Sequence, residues 1–220
     1  MVWRHLIRFI FDKINGYKGK LVLNMATAKN KNIVEVTIHG RGGQGAITAS
    51  NLLCEYAFVE GYAKDVLDIP MIGAERRGAP IRGFSKLSRK SEILDYCAVT
   101  NPDYTIIFDF TLLDIQSIVD SVKGVVLINA PDYVNLDCLG NLEEIWIVDA
   151  TGIAIKNNLM LSGYPILNTL LLGAYAKITG QFSLETMKKV MKRRFGKNAE
   201  KNYKAAKEAY DLVKKVRGLK

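Results

Sequence analysis

The run Ile33-Val34-Glu35-Val36-Thr37-Ile38 leads directly into Gly40-Arg41-Gly42-Gly43-Gln44-Gly45, and Ala46 to Glu60 then reads as a helix closed by Gly61. A β-rich run, a glycine-dense turn and a helix in that order constrain the fold more than any other feature of the chain. Glycine permits positive φ and close backbone approach, and a helix start presents unpaired N–H groups at the positive end of its dipole. The Gly40-x-Gly42-x-x-Gly45 turn is therefore a ready site for a phosphate or carboxylate. A dinucleotide fingerprint would also need an acid near the end of the second strand, a place that Asp65 or Asp68 would have to fill. Arg41 and Gln44 are unusual in such a turn. A fixed cation and an amide that both donates and accepts point to a loop facing a polar ligand or another subunit.

The rest of the chain repeats the alternation. Strands are expected around Ala63–Ile69, Ile81–Leu87, Tyr104–Asp109, Gly124–Asn129 and Glu144–Asp149, with a helix over Leu112–Val122. The continuous apolar run Tyr104–Phe108 has the look of a strand buried on both faces. Beyond Thr151 the chain turns helical, over Thr151–Leu161, Ile166–Thr179, Leu184–Arg194 and Ala199–Val216, with Ser183 and Asn198 as N-caps. The expected class is α/β, a mostly parallel Rossmann-like sheet with helices on both faces and a helical C-terminal region. Residues 32–220 read as a single domain behind an N-terminal extension over 1–31.

Charge and cysteine content narrow the setting. The net charge of +9 resides in the C-terminal stretch, where Glu185–Lys220 holds thirteen Lys/Arg against four Asp/Glu. A solvated helix face is the plainer reading of that stretch, with an acidic partner as the other, and it lacks the aromatic interleaving of a nucleic-acid groove. Cys54, Cys97 and Cys138 form no CxxC pair and fall short of the four thiolates of an iron–sulfur cluster, which fits a reducing cytoplasm. Trp3, Leu6, Ile7, Ile10, Phe11 and Ile14 recur at helical spacing, but Arg8, Asp12 and Lys13 interrupt what a secretory signal would keep apolar. No stretch reaches the roughly 18–20 apolar residues of a membrane span. Met25 is an alternative start.

A second polar segment, Gly73-Ala74-Glu75-Arg76-Arg77-Gly78-Ala79-Pro80, sets two guanidinium forks beside a carboxylate that can orient one of them. The two loops in this order, with Ile81-Arg82, Asn101-Pro102-Asp103, Pro165-Ile166-Leu167-Asn168-Thr169 and Leu172-Gly173-Ala174, resemble the gamma subunit of pyruvate and related 2-oxoacid:ferredoxin oxidoreductases. The resemblance runs from about Ile33 to about Asn202. It implies a cytoplasmic heteromeric complex of anaerobic metabolism that converts an oxoacid, coenzyme A and oxidised ferredoxin into acyl-CoA, carbon dioxide and reduced ferredoxin. Thiamine diphosphate, Mg2+ and [4Fe–4S] clusters would be held by companion alpha, beta and delta subunits. The present chain would cap the active site and help hold coenzyme A.

On that reading the ligand-facing residues are Gly40, Arg41, Gly42, Gly43, Gln44, Gly45, Glu75, Arg76 and Arg77, with no catalytic residue and no metal ligand. His39 reads as a satisfied strand-end histidine rather than a general base. The isolated chain is expected to be inactive. Pyruvate is the default oxoacid, with 2-oxoglutarate, branched-chain oxoacids and indolepyruvate open. A stand-alone dinucleotide-binding protein is the alternative from another class.

Overall fold

A computed structural model describes residues 31–71, 78–140, 142, 144–161 and 163–217. The expected N-terminal helix, the Met25 start, Glu75, Arg76 and Arg77 lie outside the described residues. The glycine turn joins strand β1 (Ile33–Arg41) to helix α1 (Ala46–Glu60), with the helix limits that the sequence predicts. After α1 come β2 (Asp65–Met71) and β3 (Pro80–Ser88), then β4 (Tyr104–Ile107), the single turn α2 (Gln116–Val119), β5 (Val125–Asn129) and β6 (Ile145–Val148). The C-terminal part holds α3 (Ala150–Lys156), a small hairpin of β7 (Met160–Leu161) and β8 (Tyr164–Pro165), α4 (Asn168–Thr179), α5 (Leu184–Phe195), α6 (Ala199–Leu212) and β9 (Lys214–Arg217).

Seven strands form one mixed sheet in the order β2-β3-β1-β4-β5-β6-β9. Its centre, β1, β4, β5 and β6, is parallel, as expected for strands separated by crossovers. Both flanks are antiparallel: β3 runs against β1 and β2, and β9 against β6. In the central strands, neighbouring residues serve opposite faces. Ile106 joins the large core beneath α1 and α3–α6, whereas Ile107 joins a smaller cluster with Leu112, Leu113, Ile118 and Val122. Most of the helical mass therefore lies on one face. The other face is covered by short turns and by the 89–103 segment, from which Asp95 reaches the buried Lys86 ammonium at 2.6 Å.

Several sequence expectations change. The helix over 112–122 breaks up into a 3-10 turn (Phe110–Asp114) and α2, because Ile115 takes an extended conformation between them. The helix over 151–161 ends at Lys156. Asn158, at φ 50, turns the chain into the β7–β8 hairpin. The last helix stops at Leu212, and Lys214–Arg217 pairs with the edge of β6 instead. Ser183 caps α5 through its Oγ, which accepts from Thr186 N at 3.2 Å, but the Asn198 side chain makes no capping bond. Along α1, Leu52, Leu53, Tyr56 and Ala57 are buried as the spacing predicts, while Phe58 is exposed.

Helix α4 packs so closely against α6 that a Cβ on Gly173 would overlap the backbone carbonyl of Ala206. Backbone cannot rotate away as a flexible side chain can, so the two helices would have to separate. Gly173→Ala is expected to cost about 1–3 kcal/mol, read as a lower urea midpoint on chemical unfolding. An unchanged midpoint would mean that α6 is free to shift.

Candidate functional site

The β1–α1 turn opens at the C-terminal end of the parallel strands, where open α/β sheets place their ligands. Gly45 stands at the N-cap of α1 with φ 85, and a Cβ there would lie 3.3 Å from Asn168 Nδ2. No side chain caps the helix. The N–H groups of its first turn have no intrahelical partner and are left for solvent or ligand. That turn forms one wall of a cleft of about 810 Å³. The opposite walls are the β7–β8 hairpin, the start of α4 at Asn168, and the corner between α5 and α6, with Phe195, Asn198, Lys201 and Asn202.

The chemistry of the lining is one-sided. Among the described residues Lys201 is its one charged side chain, and no carboxylate, histidine or cysteine lines it. Amides come from Gln44, Asn158, Asn168, Asn198 and Asn202, rings from Tyr164 and Phe195, and aliphatic surface from Ile47, Met160 and Leu161. The size lies within the usual range for a cofactor-sized ligand. An open helix N-terminus, one cation and no anion suit a negatively charged ligand with an apolar portion.

Behind the cleft the turn is fixed by Asp109, the acid at the end of β4. Its Oδ2 accepts from Arg41 Nε at 3.0 Å and Gln44 Nε2 at 3.1 Å. Its Oδ1 accepts from Thr111 N at 3.0 Å and Thr111 Oγ1 at 2.6 Å. Partial burial alone would raise the Asp109 pKa. The Thr111 hydroxyl and N–H, the Gln44 amide and the Arg41 charge outweigh it and hold the carboxyl below its ordinary value. Gln44 Oε1 also accepts from Arg41 N at 2.8 Å, so both ends of that amide are used within the loop.

Arg41 binds the two sequence loops together. Its Nη2 donates to Thr111 Oγ1 at 2.7 Å and its Nη1 to Gly78 O at 3.3 Å. Backbone bonds from Gly42 N to Ala79 O and from Gly78 N to Gly42 O, at 2.9 and 3.1 Å, complete the seam. Gly42, Gly43, Gln44 and Gly45 thus line the cleft, whereas Gly40 and Arg41 do not. Asp109, Thr111 and Lys201 were not singled out in the sequence for these roles. Asp109 was legible only as a strand-ending acid, and Lys201 was lost in a run of lysines.

His39 lies in β1 opposite Arg82 and away from the cleft lining. It is buried, and neither ring nitrogen finds a partner among the described residues, so it is not the satisfied histidine that the sequence suggests. Burial first, and the nearby Arg82 charge second, push its pKa down to about 4. Asp65 and Asp68 serve the fold. Asp65 accepts from Val66 N and Ile93 N, and Asp68 from Ser50 Oγ. Asp65 also opens β2 rather than closing it, so neither acid stands where a dinucleotide ribose would need one.

A family profile described as pyruvate ferredoxin/flavodoxin oxidoreductase matches residues 35–212. Among curated relatives, the pyruvate synthase subunit PorC of Methanocaldococcus jannaschii is 41% identical over 189 residues, covering 84% of this chain and 100% of the relative. The common gamma subunit of the pyruvate/ketoisovalerate oxidoreductases of Pyrococcus furiosus is 40% identical, covering 81% and 96%. Among solved structures, the pyruvate oxidoreductase subunit PORC of Thermotoga maritima superposes with a TM-score of 0.70 at 34% identity, covering 85% of this chain and 100% of that one.

Two outcomes follow from the groups behind the cleft. Asp109→Ala leaves a guanidinium, an amide and a hydroxyl without their acceptor, and should cost about 2 kcal/mol of unfolding free energy, with a smaller loss for Asp109→Asn. His39 stays neutral in the native state down to about pH 4, whereas the unfolded chain binds that proton near 6.5. Stability should therefore fall as pH drops from about 6.5 to 4, by on the order of 3 kcal/mol from this residue. His39→Phe should flatten that part of the urea-midpoint profile, and an unaltered slope would contradict the assignment.

Proposed function

Because the chain belongs to the pyruvate ferredoxin/flavodoxin oxidoreductase family and is a gamma subunit of a 2-oxoacid:ferredoxin oxidoreductase, we propose that its part in that complex is to hold coenzyme A in the cleft at the α1 N-terminus. The observation that carries this reading is the amide-rich lining that, among the described residues, sets one lysine and no carboxylate beside an uncapped helix start. Coenzyme A joins phosphates to a long, uncharged arm of amides and methylenes, and the cleft offers an amide-rich, uncapped helix end beside the exposed Met160, Leu161 and Tyr164. Gly42, Gly43, Gln44 and Gly45 supply the turn. Gly40 and Arg41 act through its shape, and Arg76 and Arg77, with Glu75 as their carboxylate partner, belong to the proposal by their sequence alone.

The redox chemistry then belongs to companions. Thiamine diphosphate with Mg2+ would supply the carbanion chemistry, [4Fe–4S] clusters would pass electrons to ferredoxin, and the alpha, beta and delta subunits would carry these groups. Residues 32–220 act as one domain in this arrangement, and the complex works in the cytoplasm. No helix among the described residues is long and apolar enough to cross a membrane. The oxoacid is pyruvate on this reading. The shared gamma subunit of Pyrococcus furiosus, named for two oxoacid oxidoreductases, supports an oxoacid pocket lying outside this chain. A stand-alone dinucleotide-binding role loses its main support with Asp65 and Asp68 engaged elsewhere.

Thr48→Glu tests the assignment. It puts a carboxylate in the first turn of α1, which the helix dipole tolerates well, and sets that charge against any bound phosphate. In the assembled complex the KM for coenzyme A should rise about tenfold or more, while the KM for the oxoacid and the unfolding midpoint hold. Arg76→Ala/Arg77→Ala should raise the same constant more modestly. Unchanged coenzyme A kinetics in both variants would refute the reading.

A further inference from the structure

The cleft attracts anions from two separate walls. One is the α1 N-terminus with its glycine turn. The other is Lys201 on α6, whose Nζ donates to Asn158 O at 2.5 Å and keeps two further donors for other partners. Asn158 has the one non-glycine residue with positive φ among those described, so the carbonyl that steers the lysine is set by a specially shaped turn.

Several of the basic side chains around Lys201 are matched within the chain. Lys188 meets Glu200, Lys207 meets Asp211, and Arg193 and Arg194 meet Glu55. Lys201 has no acidic partner among the described residues, and it is the one of these cations that lines the cleft. Of the two lining amides that flank it along the chain, Asn198 also has no side-chain partner among the described residues. Asn202 is already committed, accepting from Thr169 Oγ1 and donating to Asn198 O.

Two anion-attracting points on opposite walls fit a ligand with two separated phosphate groups better than one with a single phosphate. We infer that Lys201 binds the 3′-phosphate of coenzyme A, with the diphosphate at the α1 N-terminus and the adenosine between them beside Asn198 and Phe195. This rests on the reading of the cleft as the coenzyme A site. On it, Lys201 is a specificity-determining residue, recognising the phosphate that distinguishes coenzyme A from its dephospho form.

The test compares coenzyme A with dephospho-coenzyme A as substrates of the assembled complex carrying the native chain, Lys201→Gln, Lys201→Arg or Thr48→Glu. One charge-assisted contact is worth about a tenfold preference. The native complex should prefer coenzyme A by about that factor in KM. Lys201→Gln should bring coenzyme A to the dephospho level while leaving the dephospho KM unchanged, and Lys201→Arg should keep most of the preference. Equal weakening of both substrates by Lys201→Gln would overturn the 3′-phosphate assignment. So would an unchanged preference in Lys201→Gln when Thr48→Glu still weakens both. If neither Thr48→Glu nor Lys201→Gln alters either substrate, the cleft reading itself falls.

Discussion

The carboxylate of Asp109 gathers Arg41, Gln44 and Thr111 at one point, and the shape of the glycine turn follows from that gathering. Glycines 42, 43 and 45 give the turn freedom and do not choose among the conformations that freedom allows. The choice comes from a fixed acid at the end of the neighbouring parallel strand, which accepts from a backbone N–H and from three side-chain donor groups on both sides of the turn. A partly buried carboxylate with its lone pairs filled costs little to keep charged, and it neutralises the guanidinium it holds. Arg41 is then a strut rather than a free cation. Among the described residues, the positive character of the cleft comes from the helix end and from α6.

The antiparallel β2–β3 hairpin matters for the same reason. It brings Gly78 and Ala79 against Gly42, so the second polar loop leaves the sheet beside the first. Residues separated by more than thirty positions thereby form one rim. The register of β3 on β1 sets where the rim lies, since a one-residue slip would exchange the faces of every side chain between Pro80 and Ser88. The paired order of the two loops, conspicuous in the sequence, has a direct mechanical meaning: they are hydrogen-bonded to one another.

Much of this was legible because it is local. The limits of α1, the apolar β4 run and the Ser183 cap are decided by residues next to each other, and the sequence showed each of them. Features decided by distant partners were hidden. Lys214–Arg217 is basic and reads as the fraying end of a helix until the open edge of β6 is available to pair with it. The β7–β8 hairpin looks like a continuation of α3 because its turn depends on Asn158 holding positive φ. Lys201 sits within a lysine-rich helix where only the fold distinguishes a lining residue from a solvated one. The glycine pattern pointed to an anion site, but the second wall of the cleft beside it depends on helix packing that no local pattern reports.

What the cleft lacks also has a physical consequence. A group that moves protons during a reaction needs a pKa near the working pH and a place beside the reacting atoms. The described residues of the lining offer amides, aromatic rings, aliphatic carbons and one lysine, with no carboxylate, imidazole or thiol among them. His39, the histidine among the described residues, lies elsewhere on β1 and is held neutral by burial. Such a surface suits the proposed anionic thioester carrier as a binding wall, and none of its described side chains is a carboxylate, imidazole or thiol placed to move a proton. The proposed division of labour, in which this chain positions a cosubstrate and companion subunits break and form the bonds, accords with the side chains described at the end of its sheet.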